Sequence, residues 1–398
     1  MGCMRSPVQV GSPRLLNFYN FFGMMKRPAI YLYFFSIIAV VTIISGALFL
    51  IGNNFSKDKD NLILSDQSNE LFDSEPASGN LPEPEMATTT MVFGGDVMLS
   101  RNVGQKMEKY NNWQWPFEDI APLTTAADLA VINLESPFTI GGSHLVLTGS
   151  FSFKADPQAV AGLNLAGIDI VSLANNHILN QGAKGISDTQ KTLTDNSIDF
   201  IGAGLDEQAA RHPVIREINQ IKFGFLAYAY PDDYSVAATA TPGIANLNID
   251  KMQLEVDQLK AQADVVIVLM HAGIEYKKLP NFEQQQFARA AIDAGADLIV
   301  GHHPHWVQSV EIYQGKPILY SLGNLIFDQM WSQETREGAL AKIIWRGTDI
   351  EKIEIIPVII EDYARPRLAD SAGEAGRIFQ RMGLESSIID LTPALSAE

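Results

Sequence analysis

Metal-type donor residues recur in this chain at one kind of place, directly after short apolar runs that read as strands. Asp96 follows the run at 91–95, and Asn133 and Glu135 close LAVINLE at 129–135. Asn175, Asn176 and His177 follow IDIVSL at 168–173, and His271 and Glu275 follow DVVIVLM at 264–270. His302, His303 and His305 follow DLIVG in GHHPHW, and Asn324 and Asp328 lie in YSLGNLIFDQ. Five of the seven histidines therefore stand at strand ends. In open α/β sheets those ends border the crevice where ligands bind, so separate segments would converge on one site. Oxygen and nitrogen donors without a thiolate suit a divalent transition metal. Each piece alone has a plainer reading. Asp96 after two glycines fits a turn, Glu135 before Ser136-Pro137 a solvated strand end, Asn175-Asn176 a turn, and His271 a structural histidine. His302-His303-Pro304-His305 is harder to read that way, because three imidazoles within four residues repel one another when protonated and commonly bind metal. His144 and His212 fall outside the set and read as surface residues.

The elements that must position these groups alternate. Strands are expected at 91–97, 129–134, 168–173, 199–202, 264–270 and 298–301, and helices at 157–166, 185–196, 250–263 and 281–294. Residues 214–228 read as a hairpin turning at Asn219-Gln220. Strands at 310–313, 317–321, 339–345 and 352–360 and a helix at 372–381 complete the pattern. Alternating strands and helices indicate an α/β layered domain, and the hairpins indicate mixed sheets.

The chain has 398 residues, 46% of them hydrophobic, and a net charge of -17. That excess argues against a nucleic-acid surface, which needs clustered Lys and Arg. The single cysteine, Cys3, excludes an intrachain disulfide and thiolate-rich zinc sites. Residues 28–56 carry no charge, and the apolar core at 30–52 is long enough to span a bilayer as one helix. Arg5, Arg14, Lys26 and Arg27 precede it with no acidic residue, and a predominantly acidic stretch follows. By the positive-inside rule the N-terminus is cytoplasmic and the main domain extracytoplasmic. A signal peptide is the competing reading, disfavoured by the long apolar run and the 27 residues before it. The expected organisation is a cytoplasmic tail at 1–27, a transmembrane helix at 28–56, a flexible acidic linker at 57–90, the α/β domain at 91–365 and a C-terminal extension at 366–398.

The motifs FGGDVMLSR, INLESPFT, SLANNHILNQG, HAGIEY and GHHPHWVQSVEIYQGKPILYSLGNLIFDQ occur in that order. The chain resembles the CapA family of poly-γ-glutamate capsule synthesis proteins, which is similar in fold to calcineurin-like metallophosphoesterases. The resemblance implies a four-layer α/β/β/α sandwich of metallophosphoesterase type, with two divalent ions (Mn, Zn or Fe) at the strand ends. Carried over by motif, Asp96 would bind one ion, Glu135 would bridge both, and Asn176 and His271 would bind the second. His303 and His305 would give one imidazole to each, with His302 as a rival. His177 would contact substrate or act as general acid. Asn133, Asn175, Glu275, Asn324 and Asp328 would orient the imidazoles or touch substrate. Three positions depart from the patterns. Met98 stands where phosphoesterases carry His, Asn180 where the family usually has Asp, and Ala272 where Trp is frequent.

The implied function is that of a membrane-anchored capsule protein, acting with capsule synthase subunits and an anionic polymer. It would be either a metal-dependent hydrolase or transferase of a phosphoester or γ-glutamyl amide, or a non-catalytic factor that binds the polymer through its cations.

Overall fold

The computed structural model describes residues 87–142, 151–230, 235–370 and 372–391, all within the unit Leu81–Glu398. The expected cytoplasmic tail, transmembrane helix, most of the linker and His144 lie outside these residues. Among the described residues no helix is long and apolar enough to cross a membrane.

Four short parallel strands begin the fold: β1 (Thr88–Val97), β2 (Leu129–Leu134), β3 (Ile170–Ser172) and β4 (Asp199–Ile201). Helix α1 (Arg101–Tyr110) follows β1, and α2 (Gly182–Asp195) precedes β4. Then β5 (Val214–Ile218) and β6 (Ile221–Ala229) form the expected hairpin. Its turn residues Asn219 and Gln220 both have positive φ, 52° and 68°, as a two-residue type I′ turn requires. Helices α3 (Ile249–Lys260) and α4 (Phe282–Asp293) alternate with β7 (Val265–His271) and β8 (Leu298–His302). The strands β9 (Val310–Tyr313), β10 (Lys316–Leu319), β11 (Asn324–Ile326), β12 (Glu337–Arg346), β13 (Asp349–Glu361) and β14 (Arg365–Leu368) follow. Helix α5 (Ala372–Met382) and β15 (Ile388–Asp390) end the described chain.

These strands make two large mixed sheets. One runs β14-β13-β12-β1-β2-β3-β4, with β11 beside β1 and β15 beside β13; the other runs β9-β10-β8-β7-β6-β5. The apolar run of β7 shows why the layers stack. Val265, Ile267 and Leu269 pack in the core shared by the two sheets, whereas Val266, Val268 and Met270 pack under α3 and α4. A strand buried on both faces needs such an uninterrupted run, and each side chain contributes about 1.5–3 kcal/mol through burial. Val268→Asp would place an unpaired charge under α3 and α4 and break that layer. On the far side of the first sheet, α1, α2 and α5 bury Val103, Met107, Ile186, Leu193, Ile378 and Met382. The result is helix, sheet, sheet, helix.

Strand periodicity then aims the donors. Successive side chains alternate, so His271 continues the inward face of Val265, Ile267 and Leu269, and His302 continues that of Leu298 and Val300. His271 and His302 are in register, and Asp96 is flanked in register by Asn133 and Asn324. The approach of β11 to β1 requires Gly95, since a β-carbon there would lie 2.0 Å from the Gly323 carbonyl oxygen. That approach lets the Asp96 N–H donate to the same oxygen at 2.9 Å.

Two boundaries differ from expectation. Thr88–Thr90 already pair with β12, so the sheet begins inside the segment read as linker. Beyond residue 365, β14 and β15 both hydrogen-bond to β13, and α5 buries Ile378 and Met382, so the sheet runs into the segment read as an extension.

Candidate metal centre

Two groups of donors meet where the ends of β1, β2, β7 and β8 converge. In the first, ligand atoms of Asp96, Glu135 and His305 lie within 4.8 Å of one another, and all three residues are buried. His305 Nδ1 stands 3.5 Å from Asp96 Oδ2 and 2.9 Å from Asn324 Oδ1. Because Asn324 Nδ2 donates to the Thr335 carbonyl at 2.9 Å, its Oδ1 is the atom that meets His305. His305 therefore carries a proton on Nδ1.

The second group surrounds His271 Nε2, with Asn176 Oδ1 at 3.0 Å and His303 Nδ1 at 3.1 Å. Bonds of about 2.0–2.2 Å to a shared cation put neighbouring ligand atoms about 3 Å apart at right angles. Asn176 and His303 are half-buried, so this group opens to solvent while the first does not. His303 and His305 also have positive φ, 96° and 58°, which is uncommon for such residues and clusters at functional sites.

The donor set fits a cation on three counts. Glu135 Oε2 is buried without a hydrogen-bond partner. Asn133 Nδ2 donates to Asp96 Oδ1 at 2.8 Å and to Glu135 Oε1 at 3.3 Å, which holds the two carboxylates together beside the His271 ring. The ionisation of the pair is also divided. Burial, then the Asp96 charge, pushes Glu135 well above the usual carboxylate range. Burial acts upward on Asp96 too, but the hydrogen bond to His305 leads the opposing effects, and Asp96 is held low. Two carboxylates this close retain a proton between them unless a cation replaces it. Two of the imidazoles, His271 and His303, are held neutral. Burial lowers His271, with the His303 charge adding to it; burial and then His305 lower His303 to about 4.

The remaining expected residues take other parts. Asn175 Oδ1 accepts the N–H groups of His177 and Ile178, and its Nδ2 donates to the Leu134 carbonyl, so it shapes the loop. His302 Nε2 meets the Gly94 carbonyl at 3.1 Å and ties β8 to β1 across the sheets, which removes it as a rival to His303 or His305. Asp328 stands outside both donor groups, bonded to Arg101 and Asn102. Half-buried Glu275 acts electrostatically on Glu135 and His303. Met98 is fully buried in the core and its sulfur receives the Ser100 N–H, so that position supplies no ligand. His212 is exposed, as expected of a surface residue.

Two neighbours of the site were not expected from the sequence. Phe153 stacks on His177 with ring centroids 4.0 Å apart and 28° between planes. The Arg101 guanidinium lies 4.8 Å from the Phe153 ring and exerts its charge on Glu135 and His177. A basic residue soon after the first strand end was the only available signal for Arg101.

A mixed α/β sandwich with carboxylates and imidazoles gathered at its strand ends defines the class. Residues 90–329 match the family described as bacterial capsule synthesis protein PGA_cap, and the chain belongs to that family. It is 32% identical over 314 residues to the capsule biosynthesis protein CapA of Bacillus anthracis, covering 77% of this chain and 75% of that one. It is 31% identical over 272 residues to the PGA biosynthesis protein CapA of Bacillus subtilis, covering 68% and 71%. Among solved structures, the NAD nucleotidase of Haemophilus influenzae aligns with a TM-score of 0.40 at 12% identity, over 76% of this chain and 57% of that one.

Proposed function

We propose that this protein is a membrane-anchored, extracytoplasmic component of a poly-γ-glutamate capsule machinery. Its donor cluster holds two divalent cations and acts on a phosphoester or a γ-glutamyl amide. The observation that carries the catalytic part is the buried Glu135 oxygen without a partner, within a donor group that fits a cation. The relatives' names support the capsule setting, and residues 28–56 with their charge asymmetry support the anchor.

Asp96, Glu135 and His305 would hold one cation, and Asn176, His271 and His303 the other. Divalent cations bound there would acidify water and offset developing negative charge. The protein's own groups do the rest. The neutral imidazoles keep their lone pairs, Asn133 and Asn324 hold the carboxylate and imidazole donors in place, and the half-open Asn176 and His303 face the side from which a substrate arrives.

A second reading has its own support. Met98 leaves the first group with three protein ligands, so the cations could serve to bridge an anionic polymer to a chain of net charge -17 without turnover. Metal content of the purified full-length chain, with turnover of a phosphate monoester and of poly-γ-glutamate with and without chelator, separates the two. Turnover lost on chelation and in His303→Ala supports the enzyme. Chelator-sensitive polymer binding without turnover supports the factor, and absence of bound metal contradicts both.

A further inference from the structure

A chain of hydrogen bonds beside the second donor group has a direction that can be fixed atom by atom. The Phe153 N–H donates to the Asn180 side chain at 2.8 Å, and a backbone N–H is always a donor, so the atom it meets is the amide oxygen Oδ1. The same oxygen lies 3.0 Å from His177 Nδ1, which therefore carries the proton. The other ring nitrogen, Nε2, meets an amide nitrogen, and an amide nitrogen only donates. A neutral ring protonated on Nδ1 has a lone pair on Nε2. That lone pair faces Asn176 Nδ2 at 3.3 Å, so the Asn176 amide donates there and turns its Oδ1 to His271 Nε2 at 3.0 Å. Phe153 acts twice in this arrangement, its N–H orienting Asn180 and its ring stacking on the imidazole.

We propose that Asn180 is a positioning residue, which fixes His177 as the Nδ1–H tautomer so that His177 Nε2 accepts from Asn176 and aims the Asn176 carbonyl oxygen at the second donor group. His177 is then an orienting group in the resting site and not its proton donor. An Asp at 180 would also accept the Nδ1 proton, but its charge would in addition favour the imidazolium that a general acid must become. An amide gives the orientation without that bias. The second half of this inference rests on the reading of Asn176 as a cation ligand; the tautomer of His177 does not.

The test uses the full-length chain. With [15N]histidine labelling and long-range proton–nitrogen correlation near pH 7.5, without added metal, His177 is identified by the signals lost in His177→Gln. A protonated Nδ1 and unprotonated Nε2 are expected; a protonated Nε2 overturns the proposal. Mn2+ titration followed by electron paramagnetic resonance reads the second half. Asn180→Leu removes both acceptor contacts and should weaken the binding at the second group about 10–100-fold, whereas Asn180→Asp should leave it nearly unchanged. Unweakened binding in Asn180→Leu overturns the positioning role. If that variant fails to fold by circular dichroism, Asn180→Ser, too short to reach Nδ1, must show the same loss. A wild-type chain that binds no Mn2+ overturns the cation reading and with it the second half, while the nitrogen shifts still decide the first.

Discussion

The two donor groups are built differently although they share one crevice. Asp96, Glu135 and His305 are closed in by the sheets, carry the carboxylates and are braced by Asn133 and Asn324. Asn176, His271 and His303 contain no carboxylate, and two of the three are half-open to solvent. Buried charge of one sign demands a counter-charge, whereas neutral donors at a surface do not. The closed group should therefore hold its cation tightly, and the open group should exchange its cation and meet substrate.

The largest expected effect is at the closed group. Glu135→Gln keeps the shape and removes the charge, so cation binding there should weaken by about 100-fold or more. The same change should raise the melting temperature of the cation-free chain by about 2–4 °C, equivalent to about 1 kcal/mol, because a carboxyl raised by burial and by Asp96 opposes folding once ionised. Calorimetric titration and thermal unfolding check the two signs together, and a fall in both would break the contrast.

The imidazoles set the next effect. His177, His271, His302 and His303 are all lowered by burial, so below their usual value near 6.5 the unfolded chain takes up protons that the fold refuses. Their contribution to stability is present above pH 6.5 and is lost as pH falls toward the folded values, at up to about 1.4 kcal/mol per pH unit for each proton. Glu135 acts in the opposite sense, because the fold binds its proton first, but it is one group against four. Melting of the cation-free chain should therefore decline steadily from pH 7 to pH 5. A flat profile would show that these rings are not held neutral.

Smaller effects sharpen the difference between the groups. His305→Ala opens a buried cavity and strands Asn324, at about 2–3 kcal/mol, whereas half-buried His303→Ala should cost less than about 1 kcal/mol. Denaturant unfolding with chelator present measures both. Equal losses would mean that the closed and open groups are not distinct.

Much of this site was legible in the sequence because strand ends are marked twice, by apolar runs and by the polar residue that stops them. DVVIVLM followed by His271, and DLIVG followed by GHHPH, needed no tertiary information. Facing required the second sheet. Both histidines of the His302-His303 pair look alike in sequence, yet His302 continues the inward alternation of β8 and meets the Gly94 carbonyl, while His303 adopts a left-handed backbone and swings to His271. Phe153 was hidden for a similar reason, since nothing local links it to Asn180, 27 residues later. β11 and β15 have only three residues each, too few to show periodicity, and exist because β1 and β13 offer them partners.

The most direct test is an anomalous-scattering map from crystals of the full-length chain grown with Mn2+. Two peaks are predicted, one among Asp96, Glu135 and His305 and one among Asn176, His271 and His303, with the second losing occupancy first on dilution of the metal. A map without density at either position, or with its peaks elsewhere on the protein, would contradict the account.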